Sequence, residues 1–407
     1  MSTATATSTR ARSWMGWPAA ARIAVVYVVA RLVTTGFFLL ASALSGPGSR
    51  YGVAPSLGEL ALGWDAQWYW FAVVAGYPTD LPLTPQGSVA ENAWAFLPVY
   101  AYLSAGLGTL LGSWGAGAVV ISLAAGFGAS VALHALLSDR IGDGAAMWAV
   151  AFFACGPLAA LFQVGYAESL FLFLLFLALR CVQLRRWGWL YLLVPLMGFT
   201  RPGILAFALF LGLYGIHRFF RRRSEPLPVR DVAHLVGVAF VAVVVGFAWQ
   251  VIAGVVTGDP GAYLATELAW RRNWVGDTSG RFVPVEGWIQ AAGFWFSRWG
   301  LGVTAGYVAL VLLVFGTAAV LIFAPQVKRL GVEVRLWSAS YFVYLLLVFF
   351  PQSSIFRLLV PISPLWGAFA VPPSRAWRLT VLGAALLGQW WWIYNMYALG
   401  NTFWQIP

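Results

Sequence analysis

Apolar runs separated by short polar, often basic, stretches fill the chain, and their lengths set the first expectation. Runs over residues 23–44, 94–111, 118–137, 145–161, 170–183, 188–199, 203–217, 232–256, 301–323, 336–350, 358–370 and 379–398 dominate the sequence. Several reach the roughly 20 residues that a helix needs to cross the hydrocarbon core of a bilayer. The alternating ten-residue pattern of outer-membrane strands does not occur. The pattern therefore predicts an all-α, polytopic membrane protein, one domain over residues 1–407 with about 11–13 transmembrane helices.

The polar stretches orient those spans. Residues 1–17 form a flexible lead with Arg10 and Arg12, and the first apolar run is too long for a usual signal sequence, so it predicts an uncleaved anchor with its N-terminus inside. Basic residues gather at Arg185 and Arg186, in the run RFFRRRSEPLPVR from Arg218, at Lys328, Arg329 and Arg335, and at Arg375 and Arg378. Such clusters mark cytoplasmic loops and attract anionic lipid headgroups. Residues 45–93 and 257–300 then become the two large extracytoplasmic loops. Within the first, Trp64, Trp68, Tyr69, Trp70 and Phe71 predict a short interfacial helix stopped by Gly76, Tyr77 and Pro78. One inconsistency remains: four apolar runs lie between Asp65, expected outside, and Arg185, expected inside, where the crossings must be odd in number. One of them must be re-entrant or a half-span.

Composition agrees and narrows the chemistry. The 407 residues are 61% hydrophobic and 10% charged, with mean hydropathy +0.78, far from a soluble domain. The net charge of +11 reads as topology and not as a nucleic-acid surface, because the cationic clusters are short and broken by apolar spans. Cys155 and Cys181 lie in apolar runs as core residues, and His134, His217 and His234 have no second ligand nearby in sequence. Hydrolase, metalloprotease and phosphate-loop motifs are absent.

What remains is a set of isolated charges in apolar surroundings. Asp65 stands among aromatic residues in LGWDAQWYWFAVVAGYP, Glu168 in GYAESLF, Arg201 in GFTRPG and Arg357 in SSIFRLLVP. Carboxylates and guanidiniums are seldom buried unpaired. A carboxylate at a membrane surface can take a proton from an attacking hydroxyl, and guanidiniums hold phosphates and stabilise a leaving phosphate. Arg271 and Arg272, beside Trp270 and Trp274 in the second loop, are candidates to cover the site or bind a headgroup. Each residue also has a structural alternative: Glu168 as a helix N-terminal acid, Arg201 and Arg357 as interfacial anchors. Arg31, inside the first span, must face a partner or reach the surface.

The ordered series GWDAQWYWFAVVAGYP, AFLPVYAYL, GYAESLFLFLLFLAL, GFTRPG and FRLLVPISPLWG resembles the PIG-V type mannosyltransferases, membrane glycosyltransferases of the GT-C fold, over nearly the whole chain. The Ala, Gly, Val and Trp rich composition resembles an actinobacterial member. The resemblance implies a polyprenyl-phosphate sugar donor, usually mannose. It implies inverting transfer to a lipid-linked or protein acceptor on the extracytoplasmic face of the cell membrane. On it, Asp65 is the general base and Glu168 orients the acceptor or the base. Arg201, Arg357, Arg271 and Arg272, with Trp64, Tyr69 and Tyr166, are the substrate-binding candidates. Gly63 stands where many GT-C enzymes carry the first acid of an Asp-x-Asp pair, so a single carboxylate gives little support for a divalent metal, and no cofactor is expected. The competing class is a lipid or solute carrier, which also shows intramembrane charges and Pro-broken helices. No inverted repeat is visible, and the charges collect at one predicted face.

Overall fold

The computed structural model describes residues 16–275 and 282–400, and apart from an isolated β-bridge between Leu83 and Val89 its regular elements are helical. Among the described residues four helices are long and apolar enough, by length and composition, to cross a membrane: α1 (Ala19–Leu44), α4 (Trp114–Ile141), α9 (Val229–Thr257) and α12 (Val303–Phe323). Shorter helices run beside them: α5 (Asp143–Ala154), α6 (Glu168–Gln183), α7 (Trp187–Gly198), α8 (Ile204–Phe220), α13 (Val332–Val348) and α14 (Arg375–Ile393). The protein is thus an all-α, polytopic membrane protein with several long apolar helices. Several legs are short helices extended by 3₁₀ turns, as at Ala159–Gln163 and Val360–Leu365.

Polar contacts define two ends. At one, Arg22 grips Asp143 through two bonds of 2.8 Å, Arg140 reaches Glu333 at 3.1 Å, Arg180 reaches Asp139 at 2.6 Å and Arg185 lies 4.0 Å from Asp231. The basic connections collect here. At the other end lie α2 (Asp65–Val74) and the start of α6. α4, α5 and α6 each run between the two ends, an odd number, because α3 (Pro98–Leu111) does not cross. It pairs with the first turns of α4: Tyr100 Oη donates to the Ala118 carbonyl at 2.9 Å. Gly112, at φ 85°, ends α3, and Ser113 caps α4 by accepting the Ala116 N–H at 3.1 Å. A Cβ on Gly117 would sit 2.2 Å from the Ser104 carbonyl oxygen, so glycine permits the close antiparallel pairing. Hydropathy makes α3 look like a span; its partner contacts make it the half-span.

Residues 257–300, expected as a loop, are largely helical as α10 (Ala262–Val275) and α11 (Glu286–Arg298). Trp288 Nε1 donates to the Leu345 carbonyl at 2.7 Å and Trp295 Nε1 to the Pro351 carbonyl at 2.8 Å, anchoring α11 to the far end of α13. Arg31 faces the bundle: it donates to the carbonyls of Ala154, at 2.5 Å, and Ala159, and lies 5.2 Å from the ring centres of Tyr27 and Phe162. His134 is less isolated than the sequence suggests, since Nε2 lies 3.1 Å from Asp143. Cys155 and Cys181 are free thiols.

Candidate functional site

Asp65 owes its position to a strained turn. Ser56 and Glu59 form a capping box that starts the short helix Leu57–Ala61. Gly63 follows, where a Cβ would meet Tyr51 Oη at 2.0 Å. Trp64 then adopts φ 53° and ψ −126°, a conformation that costs a non-glycine residue about 1–3 kcal/mol unless its surroundings enforce it. They do: its indole N–H donates to the Met396 carbonyl at 2.9 Å, and the Arg50 guanidinium lies 3.8 Å from its ring centre. The chain turns sharply there and launches α2, with Asp65 as its first residue. Gly76, at φ 76°, lies just beyond the end of α2.

Three other segments meet it. The Gly165 N–H donates to the Ala61 carbonyl at 2.8 Å, seating GYAES against the start of α2. A Cβ on Gly165 would come within 2.9 Å of Ala66 Cβ. Tyr166 Oη accepts the Asp65 N–H at 3.4 Å, and Glu168 opens α6. Arg201 occupies the turn between α7 and α8, where Pro202 cannot continue a helix and Gly203 takes φ 128°. Arg357 lies on the four-residue helix Ile355–Leu358, just after the break that ends α13.

These four segments close a charge-balanced cluster. Arg357 Nη1 pairs with Asp65, and its Nε lies 3.4 Å from Glu168 Oε1. Arg201 Nη1 lies 3.1 Å from the same Glu168 oxygen. Glu168 is 2% exposed and both arginines are buried, while the Asp65 side chain keeps 15% of its surface. Arg357 Nε and Glu168 Oε1 make no hydrogen bond of good geometry despite their proximity. Burial pushes the Asp65 carboxyl above its ordinary value, Arg357 opposing it. A group so placed is more basic than a free carboxylate, and the guanidiniums beside it can take up an anion.

The remaining candidates lie around this cluster. Trp64 is buried in its strained turn, and Tyr69 is buried against Phe96 and Tyr100 with ring centres 5.2 Å away. Tyr166 is buried beneath Arg357, whose guanidinium lies 5.4 Å from its ring centre. The structure does not bring Arg271 and Arg272 into the ion pairs. Arg271 Nε donates to Gln290 at 3.0 Å and Nη2 reaches Glu286 at 3.4 Å, while Arg272 donates to the Val89 carbonyl. Trp270 stacks edge-on to Trp68, ring centres 5.8 Å apart, and the side chain of Trp274 lies outside the described residues. Half of the aromatic strip on α2 thus packs inward, and Trp70 and Phe71 stay exposed.

Sequence reasoning missed Glu267, on α10. Burial pushes its carboxyl up to about 7, with a hydrogen bond to Tyr263 holding it back. Tyr344 is within electrostatic reach of both Glu267 and Arg201. The signal was a lone acid in AYLATELAW, the same kind that marks Asp65. Among the described residues no group of three or more His, Cys, Asp or Glu side chains could hold a metal ion. Asp65 and Glu168 each pair with a guanidinium.

No family model and no curated protein matches this chain. Among solved structures, the Archaeoglobus fulgidus oligosaccharyltransferase in complex with zinc and sulfate is similar at 17% identity and TM-score 0.47, over 92% of this chain and 53% of that one. The archaeal oligosaccharyltransferase AglB from the same organism, in complex with an inhibitory peptide and a dolichol-phosphate, is similar at 16% identity and TM-score 0.46, over 95% of this chain and 56% of that one. This chain spans about half the length of the solved structures it matches. A likeness at this level carries no assignment of activity.

Proposed function

We propose that this chain is a GT-C type membrane glycosyltransferase. It moves a hexose, mannose on the resemblance of its motifs to the PIG-V type enzymes, from a polyprenyl-phosphate donor to a lipid-linked or protein acceptor. The observation that carries the reading is the convergence of Asp65, Glu168, Arg201 and Arg357, from four distant segments, on one buried cluster. The cluster lies at the end opposite the basic loops. Positive loops stay in the cytoplasm, which supports reading the cluster as extracytoplasmic, on the cell membrane.

The chemistry follows from the charges. The donor phosphate binds at Arg201 and Arg357 and competes with Asp65 for the Arg357 guanidinium. Asp65, released, takes the proton from the acceptor hydroxyl as that oxygen attacks the anomeric carbon. The bond from the anomeric carbon to the phosphate oxygen breaks with inversion, and the departing polyprenyl phosphate keeps its negative charge against the two guanidiniums. Glu168, held by both arginines, fixes their positions and orients the base. No step needs a metal.

The test is donor class. Membranes containing the chain are given radiolabelled mannose as polyprenyl-phosphate mannose or as a nucleotide-linked sugar, with host lipids and proteins as acceptors and donor synthesis blocked. Label transferred from the lipid-linked donor alone supports the reading. Transfer from the nucleotide donor alone, or none from either with every acceptor fraction, counts against it.

A further inference from the structure

A polar cavity lies at the opposite end of the bundle from Asp65. It encloses about 470 Å³ between α8, α12 and α13. Arg140, Arg218, Arg221 and Arg335 line it against Glu225 and Glu333, so the lining is net positive before His217 is counted. The acids are not spread evenly. Glu333 is taken by Arg140 at 3.1 Å, while Glu225 approaches Arg218 Nε only to 4.0 Å.

Arg218 is the informative residue. It is 2% exposed, its Nη2 donates to the Pro226 carbonyl at 2.8 Å, and its Nε has no hydrogen-bond partner. A buried guanidinium with so loose a counter-ion is costly, and an anion entering the cavity removes that cost. Arg335 spends its Nε on the Leu321 carbonyl at 2.9 Å, leaving the rest of its fork for a ligand.

The rim says which anion. Ile322, which lines the cavity on α12, and its neighbour Phe323 are exposed, Phe323 by 69%. Polar cavity and apolar rim meet at the end of a membrane helix, the depth at which phospholipid phosphates lie. We propose that this cavity binds the headgroup of an anionic phospholipid, its phosphate on Arg218, Arg221 and Arg335 and its acyl chains along the exposed apolar end of α12. The site is separate from the sugar-transfer cluster and does not depend on that assignment.

The experiment is thermal unfolding of the detergent-purified full chain with added phosphatidylglycerol, phosphatidylcholine or inorganic phosphate. The variants are Arg221→Gln/Arg335→Gln, which spare the buried Arg218, and Arg222→Gln/Arg223→Gln, which remove the same charge from the segment after α8, outside the cavity. Phosphatidylglycerol is expected to raise the midpoint by several degrees in the wild type and in the second variant, and much less in the first; phosphatidylcholine is expected to do little. Equal shifts in all three proteins would reduce the effect to general surface charge and overturn the site. An equal shift from inorganic phosphate or phosphatidylcholine would overturn the lipid assignment.

Discussion

The two ends of this bundle use charge in opposite ways. At the basic end, ion pairs join neighbouring helices with one partner open to water: Asp139 is 58% exposed against Arg180 and Asp143 is 41% exposed against Arg22. At the other end, Asp65, Glu168, Arg201 and Arg357 are all withdrawn into the bundle and share partners. Exposed pairs contribute about 0–1 kcal/mol each. A buried set costs desolvation that its own attraction barely offsets, and hydrophobic replacements often hold a fold better. A polar cluster of the second kind is kept for chemistry or specificity, and this contrast supports placing the function at that end.

Removing one charge from each end sharpens the contrast. The largest loss is expected from Arg357→Gln, which strands Asp65 and leaves Glu168 with Arg201 alone, and should cost about 3–5 kcal/mol, read as a lower thermal midpoint in detergent, with transfer abolished. Gly63→Ala comes next: its methyl must displace Tyr51, an overpacking cost of about 1–3 kcal/mol. Because it re-aims Asp65, transfer should fall more than stability does. A pH series of unfolding isolates Glu267. Its folded carboxyl is raised to about 7 from 4.5, so its contribution is full below pH about 4.5 and is lost as pH rises through about 7. Glu267→Gln should flatten that slope. The smallest effect is expected from Asp139→Asn at the basic end, below about 1 kcal/mol and without change in transfer.

Sequence made the charged cluster legible for a physical reason. A charge in an apolar run must find a partner, so Asp65, Glu168, Arg201 and Arg357 were marked by their surroundings before any contact was known. Arg31 follows the same rule and finds backbone carbonyls instead. What stayed hidden depends on tertiary contact. Hydropathy does not report how deep a helix sits, so α3 passed for a span until its pairing with the first turns of α4 was seen. The strain at Trp64 comes from Met396, 332 positions away. Trp64 and Tyr69, marked as substrate contacts by their neighbourhood, have buried scaffold positions, because an aromatic residue beside a site packs as readily as it binds. Arg271 and Arg272 looked free in a presumed loop, but the loop is helical and supplies Gln290 and Glu286 to hold Arg271.

The part-buried carboxylate of Asp65 is assigned the removal of the acceptor proton. This role is tested most directly by mannosyl transfer from polyprenyl-phosphate mannose in membranes carrying wild type or Asp65→Asn at equal abundance. Asparagine keeps the side chain's size and cannot act as the base, so the account predicts a loss of about 10²–10⁴-fold with the protein still folded. Transfer by Asp65→Asn at the wild-type rate would contradict it.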